Sequence, residues 1–548
     1  MYKDRNKTIF LVFFILFGAL ILRLFYFQIC RGKELSKAAS AQRITNYNIE
    51  RPRGNILDRN SIPFTNRTEK FSIVLKPLYL RDKEKELKQI SSILNLDYYK
   101  IKRDVESKKE PIILETEQQK KDMIMSLNIQ GVSALNSLKR YDEKSIATHL
   151  LGYLNKSDQS GQAAIEKYYE DVLSFDRQDS IGVVMDARNH LVQGLGYRLL
   201  KHEGENKRLN VKLTLDYHIQ KIVEEVMERE HITGAVVVED VCTGDIVAMA
   251  SKPDYDQTKV ADYLQSPKNE LFNRTVASYN VGSIFKIIVT TLIYESGNYY
   301  GSDYYCPGYI DVGSNRFKCQ SYEKGGHGWL NLKEAFAVSC NPFFIDAGID
   351  IGYSSLIEKA RVFGLGEYTG IKEQGISESS GNLPPENAYY SNGDIANISI
   401  GQGEIMATPL QVADIVATIA NGGIKNRINI VDSIVDDDGN KVRDIRLKEW
   451  KRVISKDTAD KVKQLMEGVT LFGTGTQASL EEYGGAAGKT GSAETGREDV
   501  VHAWFAGYFP KRNPKYSVSV FVENGKSGGG VAAPVFAGIA REIMKRGL

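Results

Sequence analysis

Tyr279-Asn280-Val281-Gly282-Ser283-Ile284-Phe285-Lys286 sets a Ser-x-x-Lys tetrad at the head of a long apolar run. On a helix, positions i and i+3 share a face, so Lys286 projects beside Ser283. A serine hydroxyl is a poor nucleophile at neutral pH unless a neighbouring base takes its proton. A lysine can serve as that base if burial and nearby positive charge hold it neutral. Taken alone, the tetrad means little, because the pattern arises by chance and usually marks an exposed helical turn. Its meaning depends on what else the chain carries.

Two further elements follow in order. Ser339-Cys340-Asn341 comes first, then Lys489-Thr490-Gly491, with Gly488 before the lysine and Ser492 after the glycine. Downstream, His502-Ala503-Trp504-Phe505-Ala506-Gly507-Tyr508 resembles the next strand of the fold that carries such motifs. Ser-x-x-Lys, Ser-x-Asn and Lys-Thr-Gly in this order resemble the motif set of the penicillin-binding proteins and serine β-lactamases. The resemblance runs over nearly the whole chain and points to the class B, monofunctional transpeptidase branch. It implies an α+β fold: a penicillin-binding, serine β-lactamase-like transpeptidase domain on an elongated N-terminal pedestal. That domain would hold a five-stranded sheet with helices on both faces and the serine at a helix N-terminus.

The resemblance also implies a D,D-transpeptidase, which cross-links peptidoglycan stem peptides through a Ser283 acyl-enzyme and is acylated by β-lactams. Its motifs assign Ser283 as nucleophile, Lys286 as base, Ser339 as proton relay and Asn341 as holder of the substrate amide. Lys489 would supply positive field, and Thr490, Gly491 and Ser492 would bind substrate, Thr490 and Ser492 at its terminal carboxylate. Backbone N–H groups of Ser283 and Ser492 would form the oxyanion hole, a device whose loss typically costs about 3 kcal/mol of barrier per donor. Which lysine acts as base stays open between Lys286 and Lys489. No cofactor is expected for the chemistry itself.

Outward from these motifs, 548 residues with 42% hydrophobic content suffice for two or more domains with real cores. A net charge of +2 gives no bias towards nucleic acid, and no low-complexity tract suggests disorder. Residues 9–22 are unbroken apolar, and residues 8–29 are long enough to cross a hydrocarbon layer of roughly 30 Å. Lys3, Arg5 and Lys7 give a basic start, and Ala39-Ser40-Ala41 comes too late for a typical cleavage site. The segment therefore reads as an uncleaved single-pass signal-anchor, with cleavage as the alternative. Basic residues flank both ends, so charge does not set orientation; the short tail and downstream motifs place the catalytic part outside the cell.

Next, Arg51-Pro52-Arg53-Gly54-Asn55-Ile56-Leu57-Asp58-Arg59 is similar to the segment opening the class B pedestal, or else a turn with an exposed Asp-Arg pair. Residues 81–121 are charge-rich with spaced Leu and Ile, a pattern of helices on a solvated face. His149 reads as structural, with no neighbour suggesting a metal or a base. Residues 201–208 form a polar hinge. The expected organisation is thus 1–30 tail and anchor, 31–208 pedestal, and 209–548 transpeptidase domain. Within the last, Val211-Lys212-Leu213-Thr214-Leu215 alternates as a strand, Asp216 caps the helix after it, residues 234–238 and 245–250 pair around a turn, and residues 534–546 form a terminal helix. Gly401-Gln402-Gly403-Glu404 lacks the lysine of a phosphate cradle, and Gly473-Thr474-Gly475-Thr476 packs or lines the cleft.

Other activities share the motifs. A β-lactam receptor would carry several membrane spans, a pure scaffold for a cell-wall glycosyltransferase would not need Ser283 and Lys286, and a β-lactamase would not need a pedestal and anchor. D,D-carboxypeptidase activity stays open, since water and an acceptor amine compete for one acyl-enzyme. A membrane glycosyltransferase is the expected protein partner. One pattern lies outside the motifs: Cys306, Cys319, His327 and Cys340 crowd the stretch between the first two. Three thiolates and an imidazole suit structural Zn²⁺. A Cys306–Cys319 disulfide and three unlinked packed thiols are the alternatives.

Overall fold

A computed structural model of the chain describes residues 2–32, 35, 44–48, 53–108, 110–174, 180–184, 197–200, 208–297, 304–386, 390–495 and 500–548. Most of the expected hinge, residues 201–207, lies outside them, as do Arg51, Pro52 and residues 39–41. The N-terminal helix Tyr2–Phe25 passes into a wider turn at Tyr26–Cys30. Its stretch Ile9–Cys30 has a mean hydropathy of 2.6, with none of it buried in the protein. At 1.5 Å per residue it is ~33 Å long, enough to cross a bilayer.

The chain divides into two compact units. One gathers residues 1–53, 69–139 and 175–206; the other gathers 54–68, 140–174 and 207–548. The first unit contains a three-stranded sheet with Thr68–Leu75 between Ile112–Thr116 and Val132–Lys139. Helices Glu84–Leu94 and Tyr98–Ser107 bury Leu87, Ile90, Leu94, Ile101 and Val105 with Ile73 and Leu75 of the central strand. Apolar residues at i, i+3 and i+7 put that stripe on one face and leave the lysines and glutamates in water. The spaced Leu and Ile of residues 81–121 are thus helical, apart from the strand at 112–116.

In the second unit, the short strand Ile56–Leu57 lies parallel to Leu209–Leu213, with Ile56 opposite Val211. A side chain at Gly54 would collide with the carbonyl of Leu209, so only glycine allows this approach. Asp58 is fully buried rather than an exposed turn residue: its carboxylate accepts from the backbone N–H of Asn60, Ile62 and Tyr217. The helix beginning at Tyr217 therefore has two carboxylates at its N-terminus, because Asp216 also caps it, accepting from His218 and Ile219. His149 is structural. Its Nε2 lies 2.7 Å from Glu270 O, and burial lowers its pKa to about 4.

The central sheet has five antiparallel strands: β1 (Gly234–Asp240), β2 (Ile246–Lys252), β3 (Ala487–Glu494), β4 (Val501–Phe509) and β5 (Tyr516–Val522), in the spatial order β2-β1-β5-β4-β3. Alternation along the strands serves two cores. Val236, Val238, Phe505, Val518 and Val520 pack on helices α1 (Tyr217–Arg229) and, at the C-terminus, Ala533–Lys545. Ala235, Trp504, Ala506 and Phe521 face the other way, onto α2 (Lys286–Glu295), α3 (Asn341–Ile351), α4 (Pro409–Ala420) and α5 (Lys456–Leu471). Strand β3 ends the sheet, with its edge beside the turn Gly282–Phe285 that leads into α2.

Candidate active site

The tight turn Gly282–Phe285 precedes α2, so Ser283 sits at the entrance of a buried helix and Lys286 is its first residue. Two glycines make that turn possible. Gly282 has φ +55°, and a Cβ there would stand 2.6 Å from Ser492 O on β3. Gly401 has φ +71°, lies directly against Gly282, and accepts the Gly282 N–H through its carbonyl at 2.9 Å. The loop at 401–403 is therefore a support for the nucleophile turn, a role its sequence did not suggest.

Lys286 is fully buried. Its Nζ donates to Asn341 Oδ1 at 2.7 Å, to Ser339 O at 2.9 Å and to Ser339 Oγ at 3.2 Å. From the other side the buried Lys489 Nζ donates to Ser339 Oγ at 2.8 Å and to Thr490 O at 3.0 Å. Burial lowers the Lys286 pKa to about 8. Lys489 is pushed well below the ordinary lysine value by burial and then by the charge of Lys286. Ser339 holds φ +56°, a left-handed conformation that costs a non-glycine residue roughly 1–2 kcal/mol and aims its hydroxyl at both lysines. Ser283 is half-buried, and its hydroxyl has no hydrogen-bond partner among the described residues. Such loose geometry is common before substrate binds.

On β3 the backbone of Gly491 lies opposite Trp504 and that of Ser492 opposite Ala503. Ser492 is exposed on the sheet edge, while Thr490 is buried with its Oγ1 2.5 Å from Thr474 Oγ1. Thr474 was only a cleft-lining candidate in the sequence; its hydroxyl in fact meets the third motif. Gly528 N donates to Ser492 Oγ at 3.4 Å, bringing the turn at residues 528–530 to the same place.

The four remaining candidates also converge. Cys306, Cys319 and Cys340 are buried and His327 half-buried, and their three Sγ atoms and one ring nitrogen all lie within 4.8 Å of one another. His327 Nδ1 stands 3.6 Å from Cys306 Sγ and 3.5 Å from Cys319 Sγ. With Zn–S bonds near 2.3 Å and Zn–N bonds near 2.0 Å, a tetrahedral edge between sulfur and nitrogen is about 3.5 Å. The observed spacings match that edge, so the residues fit a zinc ion. All three thiols are free, with no Cys306–Cys319 bridge. The cluster is joined to the second motif through Cys340 itself, through Asn341 Nδ2 donating to Lys318 O, and through Gln320 Nε2 donating to Val338 O.

A cavity of about 600 Å³ opens elsewhere, beside Glu224, Glu228 and Asp254. Lys252 Nζ already bridges these three carboxylates at 3.2, 2.7 and 2.7 Å, which leaves an ion-pair network rather than a cation site.

Residues 234–545 match the penicillin binding protein transpeptidase domain, and residues 48–190 match the penicillin-binding protein dimerisation domain. The chain is 30% identical to stage V sporulation protein D of Bacillus subtilis, over 97% of this chain and 85% of that protein. It is 26% identical to the peptidoglycan D,D-transpeptidase MrdA of Acinetobacter baumannii, over 97% and 87%. Among solved structures, a chain from a peptidoglycan synthase complex of polymerisation and crosslinking superposes with a TM-score of 0.73 at 25% identity, covering 99% of this chain and 98% of that one. With a family domain matched over more than half its length, and that domain built on the predicted five-stranded sheet, the chain belongs to the penicillin-binding protein transpeptidase family.

Proposed function

We propose that the chain is a membrane-anchored serine D,D-transpeptidase that cross-links peptidoglycan stem peptides and is acylated by β-lactams. The observation that carries this reading is the buried Lys286–Ser339–Lys489 chain of hydrogen bonds, whose Lys286 stands three residues along the helix entrance from Ser283. Ser283 Oγ attacks the carbonyl of the penultimate D-alanine and gives its proton to neutral Lys286. The lysine passes a proton through Ser339 to the amine of the departing D-alanine, leaving an ester on Ser283. An acceptor amine then attacks the ester and the proton returns along the same path. Asn341 holds the substrate amide, Thr490 and Ser492 take the terminal carboxylate, and Gly491 lets this substrate-binding strand pack closely on Val281 and Ile284 of the nucleophile turn. Backbone N–H groups of Ser283 and Ser492 stabilise the oxyanion.

In the organisation we propose, residues 1–30 anchor the protein, 31–208 form the pedestal and 209–548 the catalytic domain, which faces the outside of the cell. Segments 54–68 and 140–174 pack with the catalytic unit. Similarity to a chain from a synthase complex supports a membrane glycosyltransferase as partner. Cys306, Cys319, His327 and Cys340 hold a structural Zn²⁺ that ties the 304–330 segment to the Ser339 motif and takes no part in bond making. The enzymatic reading is tested by labelled penicillin and peptide mapping. One adduct on the Ser283 peptide, absent from Ser283→Ala, is expected, and an adduct that persists in that variant overturns it.

A further inference from the structure

The loop at residues 473–476 ties three parts of the site together. Thr474 N donates to Ala337 O at 3.0 Å, two residues before Ser339, and Gly475 N donates to Val469 O of α5. The Thr474 hydroxyl lies 2.5 Å from Thr490 Oγ1 and 3.4 Å from Ala337 O. Gly529 packs directly on Thr474 O, where a Cβ would collide. The side chain is half-buried, between the second motif and the third.

Two hydroxyls at this distance share one proton, and the direction of sharing decides what Thr490 can offer a ligand. If Thr474 donates to Ala337 O, Thr490 donates to Thr474 and has no proton left for the cleft. If Thr474 donates to Thr490 Oγ1, the Thr490 proton is free to point at an anion. The bond to Ala337 O is long, so an arriving carboxylate readily draws the pair into the second state. Carbonyl acceptors cannot reverse, whereas hydroxyls rotate, and the pair is therefore set by the ligand's charge.

We infer that Thr474 is a positioning residue for carboxylate recognition: its hydroxyl turns the Thr490 proton towards the substrate's C-terminal carboxylate. This rests on the reading of Thr490 as part of the carboxylate anchor. Thr474 does not touch the reacting atoms and acts only through Thr490.

The test compares acylation of the full chain by benzylpenicillin and by its methyl ester, which lacks the anion. Thr474→Val keeps the shape and removes the hydroxyl. It is expected to lower the second-order acylation rate for benzylpenicillin by about 3- to 10-fold, the range of the neutral hydrogen bond that holds the Thr490 hydroxyl turned to the cleft, while the ester's rate changes less than about 2-fold. Thr474→Ser restores selectivity for the acid. Equal losses for both probes, or no loss for either, overturn the inference, with melting temperatures reporting any general loosening. Thr490→Val separates the two readings. If it reduces acid-over-ester selectivity and Thr474→Val does not, the positioning role alone fails. If neither variant changes selectivity, the carboxylate anchor fails with it.

Discussion

Lys286 and Lys489 aim their side-chain nitrogens at one hydroxyl, Ser339 Oγ, from 3.2 and 2.8 Å. Those distances put the two nitrogens at most about 6 Å apart. Two unit charges at that separation repel by about 3 kcal/mol at an effective dielectric near 20. Each lysine also loses hydration, since both are fully buried. The arrangement therefore makes the neutral amine easier to reach near physiological pH, and a neutral amine is what removal of the Ser283 proton requires.

The pH dependence follows from this pair. Lys286 has its pKa lowered to about 8, so it is charged below that value and free to accept a proton above it. The second-order rate of penicillin acylation should rise about tenfold per pH unit up to pH ~8 and level off beyond. Stopped-flow acylation between pH 6 and 9.5 checks it. A rate independent of pH across that range would remove Lys286 as the base.

Ser339 is the only hydroxyl joining the two lysines among the described residues. Ser339→Ala should lower acylation by roughly 10²–10⁴-fold, the usual contribution of a positioned proton carrier. Folding should survive, because the lysines keep Asn341 Oδ1, Ser339 O and Thr490 O as acceptors. Acylation kinetics with a melting curve on the same sample give both readings.

Gly401 is a test of the turn that presents Ser283. Its φ of +71° and its contact with Gly282 leave no room for a Cβ. Gly401→Ala should cost roughly 1–3 kcal/mol by denaturant unfolding and slow acylation about tenfold or more, because the Gly282 carbonyl must move. Gly403→Ala is the control: it shares a positive φ of +72°, but its Cβ would meet only Asn397 Cβ at 3.6 Å. Strain alone should leave its acylation rate near that of the unaltered protein.

The motif residues were legible because their chemistry demands particular side chains at particular spacings, and Lys286, Ser339, Asn341 and Lys489 meet in one hydrogen-bonded group. The metal-type cluster was legible for the same reason, since thiols and imidazoles announce themselves by type. Gly401 and Thr474 were not, because their roles depend on what lies opposite in space. Nothing in Gly-Gln-Gly-Glu says that it abuts Gly282, and a threonine in a Gly-Thr-Gly-Thr loop has no pattern tying it to Thr490. Asp58 was missed as a second cap of α1 for a related reason: the helix it serves begins at Tyr217, far along the chain. The helical face of residues 81–121 showed in its periodicity, whereas the strand Ile112–Thr116 was hidden within the same charge-rich stretch.

The span Ile9–Cys30 is long and apolar enough to cross a membrane, and none of it is buried within the protein. Deleting residues 1–30 should yield a protein that stays in the supernatant without detergent and is acylated at an unchanged rate. A folded but unreactive truncation would show that the helix supports the site.

The last prediction concerns the metal. Sulfur-to-nitrogen spacings of 3.5 and 3.6 Å match the edge of a zinc tetrahedron, and all four ligand atoms lie within 4.8 Å of one another. A bound Zn²⁺ would neutralise the thiolates and stabilise the segment around them. Protein purified without added metal should contain about one zinc per chain by elemental analysis. Cys306→Ser and His327→Ala should each lower zinc content and melting temperature together, and chelation should reproduce the shift in the unaltered protein. Since Cys340 lies between Ser339 and Asn341, metal loss should also slow acylation, though Ser283 and Lys286 are unchanged. Re-addition of zinc should restore the rate in the unaltered protein and fail to do so in Cys306→Ser. Metal-free protein with full activity, or a Cys306–Cys319 bridge in its peptide map, would rule out the zinc centre.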